Sequence, residues 1–343
     1  MVVVRFHDGM FDGAHDVQTL DSMLTVSVII PAFNSAKYLG EAIRSVLEQS
    51  QAPSEIVVVD DGSWDDTREI AQKYPVKYIH QENAGPSAAR NTGISNSNGE
   101  LVAFLDADDL WIPDKLAVQL KAFTEHPEAG FSFSTIWNLY NGDNPNISKA
   151  PYYPPQLKSW VRETGSSEDD ACGSVYELLL HKNCVATSSM VVRRSLIEQA
   201  GVFDERLRGS EDYDYWIRLA RLSPAVFIKQ PISRYRIVDD GLSGAWQSRF
   251  DRFYDTGIGV VEAHMSAFPS LMVRRALGAA LADYAYYCLT VGRIADAWTL
   301  SHRGLCTYPT AQGFKTFFEA NLPRMYALFS FIAHLGRTPP SRS

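Results

Sequence analysis

Five consecutive apolar residues, Leu101-Val102-Ala103-Phe104-Leu105, run straight into Asp106-Ala107-Asp108-Asp109. No other stretch constrains the fold as much. A strand that is apolar on both faces is covered by helices on both sides, as a parallel strand inside an α/β sheet is. Ligands of such sheets bind beyond the carboxyl ends of the strands, so three carboxylates are aimed into the expected cleft. Clustered carboxylates repel one another until something positive neutralises them, and a hard divalent cation with oxygen ligands does so. Such a cation can in turn hold a diphosphate.

The surrounding pattern agrees. Strands are expected at Val26–Ile30, Ile56–Val59 and Val76–His80, and helices at 36–49, 64–73 and 87–96. Strands separated by helical stretches of ten to fifteen residues imply right-handed crossovers and a mostly parallel sheet. Pro113 suits the first turn of a helix reaching about His126, and 130–134 returns as a strand. Residues 141–167, rich in Pro, Asn, Tyr and Ser, have no period and read as a long loop. A strand at 188–192, helices at 194–199 and 213–222 and a strand at 225–229 follow, and the pattern is helical beyond about 245. The expected organisation is an extension at 1–23, an α/β domain at 24–245 and a helical region at 246–343 packed on it. Within that last region Ala282, Ala285, Gly292, Ala295, Ala297, Gly304 and Pro309 resemble a single helical hairpin of the tetratricopeptide sort, too few for a solenoid.

Composition excludes several classes. A net charge of −8 with no Lys/Arg run argues against a nucleic-acid partner. The four cysteines have no CxxC spacing and read as reduced thiols. No apolar run approaches the roughly 18 residues that cross a bilayer, and residues 1–23 are too charged for a signal peptide. Met23 is an alternative start. A cytoplasmic protein is expected. The apolar run Met325–Leu335 reads as a packed helix or as a membrane-surface helix flanked by Arg324 and Arg337, which would place the chain at the inner face of the plasma membrane.

Four segments fall on the same predicted sheet edge: Pro31-Ala32-Phe33-Asn34, Asp60-Asp61-Gly62-Ser63, Asn83-Ala84-Gly85-Pro86-Ser87-Ala88-Ala89-Arg90-Asn91, and the Asp106–Asp109 turn. Each alone has a plain reading as a turn, a cap or a solvated helix residue. Together with Glu211-Asp212-Tyr213-Asp214-Tyr215-Trp216, they resemble the family 2 glycosyltransferases of the GT-A fold, over about residues 24–245. The resemblance implies an inverting enzyme that moves a sugar from a nucleotide-diphosphate sugar (a UDP- or dTDP-sugar) to a hydroxyl of a glycan or lipid-linked acceptor, in cell-surface polysaccharide synthesis. It also implies residue roles. Pro31, Phe33, Asn34, Asp61, Gly85, Arg90 and Asp106 would bind the nucleotide sugar, with Asp61 accepting a hydrogen bond from the base and Arg90 reaching base or diphosphate. Asp108 would ligate Mn²⁺ or Mg²⁺. Asp212 would be the general base, with Glu211 and Trp216 on the acceptor side; Trp216 also fits the apolar stripe of its helix, and Asp212 a helix-dipole acid.

One departure stands out. The family often has a His after Tyr-Arg in a late loop, whereas Tyr235-Arg236-Ile237 here precedes Val238-Asp239-Asp240-Gly241. Asp239 could substitute, or the loop could order on donor binding. Two other functions compete. A sugar-phosphate nucleotidyltransferase would carry a Gly-rich phosphate loop near its N-terminus, which Pro31-Ala32-Phe33-Asn34 is not. A non-catalytic glycan-binding relative would have lost the acids that are present here.

Overall fold

The computed structural model describes residues 24–140, 155–164, 170–207, 209–237 and 246–321. The chain opens with β1 (Val26–Ala32), α1 (Leu39–Leu47), β2 (Glu55–Asp60), α2 (Thr67–Ala71), β3 (Lys77–His80), α3 (Pro86–Ser95) and β4 (Leu101–Phe104). Next come β5 (Leu110–Trp111), α4 (Lys115–Glu125), β6 (Phe131–Ser134), β7 (Trp137–Tyr140), α5 (Pro155–Glu163), β8 (Ala171–Gly173) and α6 (Tyr176–His181). The second half continues with β9 (Val191–Arg193), α7 (Arg194–Ala200), α8 (Glu211–Leu222), β10 (Ala225–Ile228) and β11 (Ser233–Ile237). It ends with α9 (Trp246–Ala267), α10 (Leu271–Thr290) and α11 (Ile294–Thr307).

Eight strands form the central sheet in the order β3-β2-β1-β4-β9-β6-β10-β8. β1 to β4 are mutually parallel, and β6 and β10 are parallel to each other. Only β9 and the edge strand β8 run against their neighbours. The mixed, mostly parallel α/β fold expected from the sequence is therefore present. Side chains of the central strands split by parity, because successive strand residues face opposite sides. Ile29, Val102 and Phe104 join one core with Leu179, Tyr215 and Trp216, while Val28, Ile30, Ala103 and Leu105 join another with Leu39 and Ile43. Full burial of each large apolar side chain contributes about 1.5–3 kcal/mol. Helix α3 lies directly on β1: a Cβ at Gly93 would meet Ile29 Cγ2 at 2.4 Å, so only glycine fits there.

Three readings of the sequence need correction. Part of the stretch expected as one long loop is helix, since α5 occupies Pro155–Glu163. The strand expected from Ser188 starts at Val191, because Thr187–Ser189 form a 3-10 turn with Met190 N–H donating to Thr187 C=O. The sequence reading lacks a second sheet, β5-β11-β7; its strands are two to five residues long and pair residues about a hundred positions apart or more. α10 and α11 form an antiparallel hairpin in which Gly304 faces Leu281 and Gly278 faces the Tyr308 backbone. Val273, Leu277 and Leu281 of α10 share a core with the central sheet. Among the described residues no helix is long and apolar enough to cross a membrane. Residues 1–23, 238–245 and the run 325–335 lie outside the described part.

Candidate active cleft

A cleft of about 1180 Å³ opens at the carboxyl ends of β1, β2 and β4. At one end the loops after β1 and β2 clasp each other. Asn34 adopts a left-handed backbone (φ 49°), its N–H donates to Ser63 Oγ (2.9 Å), and its side-chain oxygen accepts from Trp64 N–H (3.1 Å). A non-glycine residue at positive φ is held there only when the surroundings fix it. The Asp60-Asp61 pair divides its work. Asp60 is buried and accepts from Ser63 N–H and the Tyr78 hydroxyl, and these bonds outweigh burial and hold its pKa below the usual value. Asp61 faces the cleft and accepts from Gln81 Nε2, Ala84 N–H and Gly85 N–H at 2.7–2.9 Å. Gly85 presents that N–H from φ 94°, a backbone open to glycine.

The centre of the cleft is an ion-pair bridge. Arg90, buried in α3, donates to Asp106 Oδ1 (3.0 Å) on one side and to Glu211 Oε1 (3.1 Å) on the other. Asp106 N–H is itself held by Ser188 Oγ (3.1 Å). The acids of the turn then differ in fate. Asp109 is buried, accepts from Ser188 Oγ and Arg236 N–H (2.8 Å), and so ties the turn to β11; burial beside Asp108 and Asp106 drives its pKa well up. Asp108 faces the cleft and forms no ion pair among the described residues. Burial and the nearby Asp106 push its pKa up to about 6.

On the far wall, Gly209 (φ 133°) and Ser210 (φ 56°) kink the backbone immediately before α8, which puts Glu211 and Asp212 in the first helical turn at the cleft. The Tyr213 hydroxyl donates to Leu179 C=O (2.6 Å) and anchors that turn. Asp212 accepts from Tyr213 N–H (2.6 Å), and the Thr187 hydroxyl reaches its other oxygen at 3.4 Å. Burial and Glu211, only partly offset by Arg90, raise its pKa to about 6.

Thus Pro31, Phe33, Asn34, Asp61, Gly85, Arg90, Asp106, Asp108, Glu211 and Asp212 all line one cleft. Trp216 does not. It is fully buried against Phe104, Phe203 and Tyr215, one helical turn behind the cleft wall, and no acceptor can stack on it. Sequence reasoning missed Lys37, Tyr38, Ser134–Ile136 and Asn183–Thr187, which also line the cleft, while Tyr235, noted in the late Tyr-Arg segment, joins them there. None belongs to a motif of charged residues; topology alone brings them in.

The family model described as glycosyl transferase family 2 matches residues 27–174. An uncharacterized glycosyltransferase of Rickettsia conorii is 33% identical over 216 residues, covering 62% of this chain and 33% of the relative. The chain thus spans about a third of that relative's length. The putative teichuronic acid biosynthesis glycosyltransferase TuaG of Bacillus subtilis is 31% identical over 227 residues, covering 64% of this chain and 81% of TuaG. The chain belongs to glycosyltransferase family 2. The fold of this family 2 glycosyltransferase is also that of S. aureus TarS 1-349 in complex with UDP-GlcNAc. That match has a TM-score of 0.55 at 19% identity and covers 89% of this chain and 92% of the other. In this family 2 glycosyltransferase the matched stretch carries the Asp61, Arg90 and Asp106–Asp109 side of the cleft, while Glu211 and Asp212 lie beyond it.

Proposed function

We propose that this chain is an inverting transferase that moves a sugar from a UDP- or dTDP-sugar to a hydroxyl of a glycan or lipid-linked acceptor, in cell-surface polysaccharide assembly. One observation carries the reading: Arg90 pairs with Asp106 on one side and with Glu211 on the other, within the one cleft that Asp61 and Asp212 also line. TuaG's name in teichuronic acid biosynthesis and the UDP-GlcNAc bound to TarS support the substrate classes. We place the protein in the cytoplasm, where nucleotide sugars would meet this cleft, with the C-terminal region against the membrane.

Pro31, Phe33 and Asn34 wall the nucleobase, and Asp61 receives its imide N–H. Gly85 lets the backbone approach the nucleotide, and Arg90 balances charge between the diphosphate and the acids. Asp106 takes a hydroxyl of the ribose or donor sugar. Asp212 removes the acceptor hydroxyl's proton as its oxygen attacks the anomeric carbon from the face opposite the leaving diphosphate, which inverts the centre. A pKa raised to about 6 suits that task, since the carboxylate is ionised near neutrality yet basic enough to take a proton. Thr187 and Glu211 hold the acceptor side.

A divalent cation fits this donor set. Five acids and only two bases line the cleft, and the half-buried Asp108 has no ion-pair partner among the described residues, so a diphosphate would meet net repulsion without a cation. Asp108 would hold Mn²⁺ or Mg²⁺, both oxygen-seeking. The ion would supply Lewis-acid stabilisation of the departing diphosphate.

Thermal stabilisation by a panel of UDP-, dTDP- and GDP-sugars with Mn²⁺ tests the reading. A matched donor at a hundred times its Kd adds about 2.7 kcal/mol. Stabilisation by none of the panel, with or without Mn²⁺, would remove the donor assignment.

A further inference from the structure

Away from the cleft, His126, Glu128 and Cys172 converge. Cys172 Sγ lies 3.3 Å from Glu128 Oε1, and His126 Nδ1 lies 3.4 Å from the same oxygen. One donor atom from each residue falls within 4.8 Å of the other two, and among the described residues no other such group of three is found. None of the three lines the cleft, and the proposed chemistry uses none of them. We propose that they form a separate binding site for a borderline-soft divalent cation of the zinc class.

The donor set suits that class. Imidazole, carboxylate and thiolate are each zinc ligands, and a thiolate is a poor ligand for the Mg²⁺ expected in the cleft. With Zn–S near 2.3 Å and Zn–N or Zn–O near 2.0–2.2 Å, a tetrahedral centre holds its donors about 3.3–3.7 Å apart. The two measured separations match that spacing, so small side-chain rotations would admit the ion. Two of the three donors stand on fixed backbone. His126 caps α4 with its N–H on Ala122 C=O, and Cys172 sits in β8, paired with Val226 of β10. Glu128 is in the turn closed by Ala129 N–H on His126 C=O. The side chains of His126 and Glu128 are 31% and 57% exposed, so an ion can enter and water can take the fourth position.

The location gives the site a consequence. His126 and Glu128 precede, and Cys172 follows, the excursion that contains β6, β7 and α5. An ion there clips its two ends together, and closing a long loop removes conformational freedom from the unfolded chain. Binding forms an S–metal bond and releases the Cys172 thiol proton to solvent.

The test uses the full chain stripped by chelation, then titrated with Zn²⁺ or Co²⁺. Co²⁺ should give a thiolate charge-transfer band at one equivalent, and Zn²⁺ should displace it. Cys172→Ser should remove the band, and His126→Ala should weaken binding by at least about tenfold. Asp108→Ala, which alters only the cleft, should leave it unchanged. Zn²⁺ should also slow maleimide labelling of Cys172 at least tenfold while the exposed Cys306 labels as before. Unaltered nucleotide binding by Cys172→Ser and His126→Ala would show that these two variants fold. Absence of the band, its survival in Cys172→Ser, or unprotected labelling of Cys172 would overturn the proposal.

Discussion

The two walls of the cleft are built differently. The proposed nucleotide wall comes from β1 to β4, in which parallel neighbours are joined by local crossovers and each strand ends in its own polar motif. The proposed acceptor wall comes from the 183–187 segment, the start of α8 and β11, held together by contacts between residues far apart in the chain, such as Arg236 N–H on Asp109 Oδ1 and Tyr213 hydroxyl on Leu179 C=O. A local wall advertises itself as motifs. A non-local wall is assembled from ordinary residues, and its chemistry rests on the one or two side chains that reach inward.

Substitutions should separate the walls. On the nucleotide side, Asp108→Ala should lower donor turnover by about 10²-fold or more, since the proposed metal would supply several kcal/mol at the developing charge. The same variant should lose the Mn²⁺-dependent part of UDP affinity, measured by calorimetry with and without the ion. Behind the acceptor wall, Trp216→Ala should cost about 3–5 kcal/mol of stability, read from denaturant unfolding. Trp216→Phe should restore most of it without changing the acceptor KM, as expected of a core residue rather than a sugar-stacking one.

Acidification reaches both walls, because Asp108 and Asp212 each have a pKa raised to about 6, but saturating Mn²⁺ would hold Asp108 ionised. As the proposed base Asp212 would have to be ionised to act, and its pKa is raised to about 6, so log kcat/KM at saturating Mn²⁺ should fall with unit slope below about pH 6. Stability moves the other way. A carboxylate whose folded pKa exceeds its unfolded value stabilises the protein at low pH, and that contribution is lost as pH rises from about 4 through about 6. The metal-free protein should therefore lose thermal stability across that window while its activity rises. The smallest effect belongs to Trp64→Ala. Trp64 is 79% exposed at the rim, so stability should change by no more than about 0.5 kcal/mol.

The same contrast explains what could be read from the chain. The alternation of β1 to β4 and the acids at their ends were legible, because a two-sided apolar run and a polar turn are local signals. Asp212 and Glu211 were legible as an acidic helix start, but Trp216 was not separable from an acceptor-stacking residue; only its packing on Phe104 and Phe203 shows that it faces inward. β9 lies antiparallel between β4 and β6, a placement set by pairing rather than by its own three residues. Asn183, Val185 and Thr187 carry no charge or period, and nothing short of the folded chain brings them to the cleft. Asp109 is not distinguished by sequence from the other acids of its turn, and its bonds to Ser188 and Arg236 make it a tether.

The most direct measurement pairs turnover with binding in Asp212→Asn, an isosteric change on the acceptor wall. UDP release from the donor found in the panel should drop by about 10²–10⁴-fold, while UDP affinity in Mn²⁺ stays within about twofold of the parent. Unchanged turnover, or a loss of UDP affinity that matches the loss of rate, would contradict the division of the cleft into a nucleotide wall and a base wall.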